Sequence, residues 1–192
     1  IANFSGISEL GLFSAASKIP SILITFQGIF IQAWELSALT EYKKEDGAAF
    51  FTKIYNLYNF ALVIGCSFLI MFIKPISSIL LGPEFKEAWR LVPFLLIAVI
   101  FGGIIGFLNT INMSVKKTNA LVIPVIIGAS VGVAINLIFV PKYGAMVASV
   151  SVAISYFIIW FQRLINANKH MKLEVNYLRD ALSYSIILIL IN

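Results

Sequence analysis

Residues 91–113 read LVPFLLIAVIFGGIIGFLNTINM, without one charged side chain. At about 1.5 Å per residue, a helix of this length crosses a hydrocarbon core of about 30 Å. A helix satisfies its own backbone amides, as lipid requires. Transmembrane strands would need ten-residue alternation between turns, and none is present.

The pattern repeats on both sides. Apolar spans cover 10–39, 54–73, 91–113, 120–140 and 145–165, and a partial sixth begins at 181 and runs to 192. The chain is 60% hydrophobic and only 12% charged over 192 residues, with a mean hydropathy of +0.95. A soluble domain typically carries about twice that charge. The expected fold is therefore all-α: a polytopic transmembrane helix bundle of five full spans plus a truncated sixth. The last run, 183–192, is too short to cross, and no methionine precedes Ile1. The chain reads as a fragment.

The gaps between spans set an expected orientation. Lys43, Lys44, Lys53, Lys116, Lys117, Arg163, Lys169, Lys172 and Arg179 fall on one side. Lys74, Lys86, Arg90 and Lys142 fall on the other. The richer side should be cytoplasmic. The +5 net charge is thus explained by topology, not by nucleic acid. One outer gap, 74–90, places Phe85 and Trp89 four residues apart, which suits a short interfacial helix feeding the third span. The other, PKYGA at 141–145, is so short that its flanking spans must be adjacent and antiparallel.

The first span carries the sharpest polar pattern. Ser14, Lys18, Ser21, Thr25, Gly28, Gln32 and Glu35 follow at spacings of four and three, which hold them on one helix face. The opposite face has Ala16, Leu23, Phe26, Phe30 and Ala33, with Gln27 its polar exception. Two readings stand. Small residues pack helices closely, and a lysine can snorkel to the headgroups. But packing does not call for Lys18, Gln32 and Glu35 on the same stripe, and Pro20 beside Lys18 marks a helix that bends near a cavity. On that functional reading the stripe meets a neighbouring helix or water. Lys18 would offer a positive charge to an anionic substrate group, with Ser14, Thr25 and Gln32 along its path. Glu35 would carry a proton or pair with a cation.

Elsewhere the polar signals are weaker. Gly102, Gly106, Asn109 and Asn112 share a face of the third span, and Gly128, Gly132 and Asn136 share one of the fourth. The glycines read as packing surfaces. Wetting near the inner face accounts for the two asparagines of the third span. Tyr55, Asn56, Tyr58 and Asn59 read as an interfacial opening of the second span. Cys66 has no partner cysteine, and His170 reads as a loop histidine without metal spacing. GGIIG at 102–106 lacks the lysine of a nucleotide loop. No catalytic triad or paired metal ligands appear, so no enzyme and no cofactor is expected.

Four phrases occur in order: ELGLFSAASKIPSIL at 9–23, IFIQAW at 29–34, LLGPEFKEAWRLVPFLL at 80–96 and VPKYGAMVASVSVAISY at 140–156. Together they resemble the bacterial polysaccharide (O-antigen type) flippases of the multidrug/oligosaccharidyl-lipid/polysaccharide exporter superfamily. One departure is Val147, where that family often has glycine three residues after PKYG. The resemblance implies part of the second bundle of a two-bundle transporter in the bacterial cytoplasmic membrane. It implies an undecaprenyl-pyrophosphate-linked oligosaccharide as substrate, flipped by alternating access for surface polysaccharide synthesis. It also implies coupling to a proton or sodium gradient, and membrane lipid and other polysaccharide-assembly proteins as partners. The alternatives are a drug or metabolite exporter of the same superfamily, a membrane polysaccharide polymerase, or a structural membrane protein. A polymerase would want a long outer loop bearing catalytic side chains, and a structural protein would not need the charged stripe.

Overall fold

A computed structural model describes residues 6–41, 46–81, 83–114 and 119–169, together with 171, 173, 174, 176, 179, 180, 182–184 and 187. His170 and most of the expected sixth span lie outside the described residues. Every regular element among those described is helical. We label them α1 (Ile7–Glu41), α2 (Gly47–Met71), α3 (Ile73–Leu80), a 3₁₀ segment (Pro83–Arg90), α4 (Val92–Ser114) and α5 (Asn119–Asn168). Four helices are long and apolar enough to cross a membrane: α1, α2, α4 and α5.

The α4 helix is apolar on all sides because it is surrounded. In its most apolar stretch 72% of residues are buried, against 17% for α1. It packs against α1, α2 and α5. The outer sides of those helices expose Phe26, Ile29, Leu36, Phe60, Ile126 and Ile138, an apolar belt that suits lipid.

The α5 helix runs for 50 residues, about 75 Å if straight, more than twice the thickness of a bilayer core. It is not straight. Gly144 takes φ +64° and ψ −147°, and the chain folds back there. The two limbs then pack antiparallel. Ser151 donates to Asn136 Oδ1 at 2.8 Å. A Cβ on Gly132 would meet Ser155 Oγ, and one on Gly128 would meet Ile159 and the Ser155 carbonyl. Arg163 Nη2 donates to the Leu121 carbonyl at 2.8 Å. Each step toward the first limb's start pairs with a step toward the second limb's end, the register of a hairpin. Gly128 and Gly132 are thus the packing surface expected of them.

Glu9, at the start of α1, holds the hairpin tip. Its Oε2 accepts from the Ala145 amide at 2.7 Å. That amide opens the second limb, where helical N–H groups have no partner of their own and favour negative charge. At the opposite end of α1, Trp34 lies in an aromatic cluster. Its ring stacks on Phe107 at 4.5 Å and meets Phe51 edge-on at 4.8 Å. Its Nε1 donates to Thr110 Oγ1 at 2.9 Å.

The expected interfacial segment is α3 followed by the 3₁₀ turns. Phe85 and Trp89 pack against the core, while Glu87 and Arg90 stay exposed and pair at 2.8 Å. Lys74 Nζ lies 5.2 Å from the Trp89 ring centre.

Arg163 does not sit in a loop after the fifth span, where its charge was counted. It lies inside the second limb of α5, only 5% exposed, with its guanidinium turned to the first limb. A basic residue two positions from the edge of an apolar run cannot be assigned to loop or helix by hydropathy alone.

Candidate functional site

All six polar members of the α1 stripe, Ser14, Lys18, Ser21, Thr25, Gln32 and Glu35, are exposed, and so is Gly28. The stripe faces away from the other helices of this chain. Small side chains on it bond to their own helix: Ser21 Oγ to the Lys18 carbonyl at 2.6 Å and Thr25 Oγ1 to the Ser21 carbonyl at 3.0 Å. Pro20, which has no N–H to offer the Ala16 carbonyl, sits within this run. Lys18 and Glu35 make no hydrogen bond or ion pair among the described residues.

The polar exception on the other side of α1, Gln27, is the buried one. Its Nε2 donates to the Val99 carbonyl of α4 at 2.8 Å. A Cβ on Gly103 would come within 2.6 Å of that Nε2 and 2.9 Å of Tyr58 Oη, so only glycine lets the amide cross α4 here.

Beside Gln27 runs an apolar cavity of about 360 Å³. From α1 it is lined by Phe13, Ser17, Pro20, Ile24 and Gln27. From α4 come Leu95, Ala98, Val99 and Gly102, and from α5 Val152 and Tyr156. A second cavity of about 320 Å³ lies between Phe13 and the two limbs of α5, with Phe13 and Val152 lining both. The α1 residues of the first cavity each stand one place before a member of the stripe: 13 and 14, 17 and 18, 20 and 21, 24 and 25, 27 and 28. One residue is about 100° of helix rotation. An apolar groove and a polar stripe therefore run side by side along α1.

At the other end of the bundle lies a polar cluster that the spacing of residues did not announce. Asp180, 2% exposed, takes Arg179 Nε and Nη2 on one oxygen at 3.1 and 2.8 Å. Tyr55 Oη donates to its other oxygen at 3.3 Å. Arg179 also reaches Asn56 Oδ1 at 2.7 Å, and Tyr184 donates to Asn59 at 2.9 Å. Tyr55 and Asn59 are thus buried members of a polar seam, not a wet interfacial girdle, while Tyr58 is buried against Phe30 with its hydroxyl unpartnered. The signal was the asparagine pair at i, i+3, whose partners lie more than a hundred residues away.

Asn112, expected to be wetted, is fully buried, with its Nδ2 on the Leu108 carbonyl and its Oδ1 unpartnered. Arg163 Nε and Nη1 are also buried without partners. No group of three or more histidine, cysteine or acidic side chains forms a metal site among the described residues. Cys66 is buried in the core.

No protein-family model matches the chain, and no curated protein and no solved structure matches it significantly.

Proposed function

We propose that this chain is part of a flippase of the bacterial cytoplasmic membrane, turning an undecaprenyl-pyrophosphate-linked oligosaccharide outward for surface polysaccharide synthesis. The observation that carries the reading is the exposed polar face of α1. A lysine at mid-bilayer costs about 2.5–3.5 kcal/mol even on the most lenient scale. Gln32 and Glu35 continue the same exposed face toward the inner headgroups. The stripe is therefore paired with water or with a second bundle, as in the wall of a translocation cavity. Lys18 meets the anionic pyrophosphate there, and Glu35 takes part in ion coupling.

On this reading the two limbs of α5 each cross the membrane, which makes five passes. The bundle is one half of a two-bundle transporter, with Ile7 and Gly144 at the outer face. The other half of the cavity wall comes from the partner bundle. The runner-up is an exporter of amphipathic small molecules from the same superfamily, which would use the same stripe.

The test is flipping of lipid-linked glycan in reconstituted vesicles. Lys18→Ala should cut the rate about tenfold or more, about 1.4 kcal/mol in the transport barrier. Ile22→Ala, exposed on the same helix but off the stripe, should change it far less. Equal losses in both variants, or in neither, overturn the role given to Lys18.

A further inference from the structure

We propose that Arg163 and the opening turn of α5 hold the phosphate of an anionic phospholipid from the inner leaflet. Arg163 is 5% exposed, and its Nη2 donates to the Leu121 carbonyl at 2.8 Å. That bond has a structural reason. Pro124 has no N–H to offer the Ala120 carbonyl, so the opening turn is short of donors. Capping this turn accounts for Nη2 alone. Nε and Nη1 are buried with no acceptor. A guanidinium keeps its charge in proteins, so these are donors of a buried cation left unsatisfied, a costly arrangement. No carboxylate pairs with Arg163 among the described residues. Asp180, the buried acid at the same end of the bundle, is taken by Arg179 and Tyr55.

The surroundings add positive charge and do not cancel it. The first limb begins at Asn119, and its opening amides carry the partial positive charge of a helix N-terminus. Leu121 stands in that turn, so the guanidinium and the helix end meet at one place and both favour an anion. Depth selects which anion. From the turn at Gly144, Arg163 lies about 29 Å along the second limb and Leu121 about 35 Å back along the first. With the hairpin tip at the outer face, the guanidinium stands where a core of about 30 Å gives way to the inner headgroups. A resident phospholipid places its phosphate at that level without leaving its leaflet. A zwitterionic headgroup brings its own cation to the guanidinium and gains less. The same end of the hairpin exposes Val122, Ile126, Phe161 and Ile165, apolar surface for the acyl chains beneath the phosphate. The site lies apart from Lys18, and the inference holds whether or not the chain transports a glycan.

The experiment titrates the full-length protein in detergent with single lipids and reads bound lipid by native mass spectrometry. The probes are dioleoyl phosphatidylglycerol, dioleoyl phosphatidylcholine and inorganic phosphate. The wild type should bind phosphatidylglycerol about tenfold more tightly than phosphatidylcholine. Arg163→Gln should erase that preference, and Lys142→Gln, at the outer tip, should leave it unchanged. Hydrogen exchange on the wild type locates the lipid without any substitution: phosphatidylglycerol should slow the amides of 119–123 more than phosphatidylcholine does. Equal affinity for the two lipids overturns the proposal, as does a preference that survives Arg163→Gln or protection confined to other segments. Equal losses in Arg163→Gln and Lys142→Gln would make the preference one of overall charge, and the site falls. Inorganic phosphate displacing the lipid at equal concentration would make this a site for free phosphate, and the phospholipid falls.

Discussion

Glu9 and Ala145 meet across 136 residues of sequence, and neither carries a local signal that it will. Glu9 reads as an acidic residue near a helix start; only the fold reveals that the helix it caps is another one. Gly144 is more legible, since PKYGA marks a tight turn, but its strained backbone is visible only in place. A side chain there faces two penalties. The conformation is one that glycine alone adopts freely, at about 1–3 kcal/mol for other residues. The added Cβ also collides with the Glu9 carboxylate. We expect Gly144→Ala to lower stability by about 2–4 kcal/mol in denaturant unfolding in micelles. Glu9→Ala should cost about 1–2 kcal/mol, and Glu9→Gln less, because an amide oxygen still accepts from Ala145. The double variant should cost less than the sum, because removing Glu9 removes the collision. Strict additivity would mean that the two residues do not touch.

Among the elements, the α5 hairpin was the best specified by sequence. Two apolar runs joined by a few residues leave no geometry except antiparallel neighbours, and glycines spaced by four give them a flat side. The two glycines do not face the same obstacle. At Gly132 the obstruction is the Ser155 hydroxyl, which can rotate away. At Gly128 it includes the Ser155 backbone carbonyl, at 2.9 Å from an added Cβ, which cannot. Gly128→Ala should therefore destabilise more than Gly132→Ala, by about 1–3 kcal/mol against under about 1 kcal/mol. Thermal unfolding of the two variants in the same detergent decides it, and the reverse order would place the limbs in a different register. Hydropathy located α1, α2 and α4 to within a few residues at most ends. The exception is the start of α2, seven residues before the apolar run, where the helix begins at Gly47. Polar residues such as Thr52 and Lys53 can continue a helix past the point where hydropathy stops reporting it.

For the molecule as a whole, the sequence told which residues share a side of α1 but not which way each side turns. Periodicity fixes relative direction only. It grouped the stripe correctly and could not foresee that Gln27, on the other side, would be the buried polar contact. The buried Asp180 seam escaped for a related reason: its members come from α2 and from beyond α5, and no period links them. Direction is measurable. Single cysteines at Ser14 and Thr25 should react quickly with a membrane-impermeant maleimide if water lines the stripe, while cysteines at Ala16 and Ile19, both fully buried, should not. Sluggish labelling at all four positions would mean that lipid or tight protein packing covers the stripe.

The first helix is fastened near both ends, by Glu9 on the hairpin tip and Gly11 against the Phe85 ring, and by Trp34 among its aromatic neighbours. Between the fastenings lie Pro20 and the empty space of the groove. Pro20 has no hydrogen bond to stretch when the rod flexes there. A rod held on both sides of a notch, here near Gly11 and again at Gln27 on the Val99 carbonyl, changes shape by bowing between them. Its natural movement is that of a leaf spring and not of a lever, and the bow sets how wide the neighbouring furrow stands.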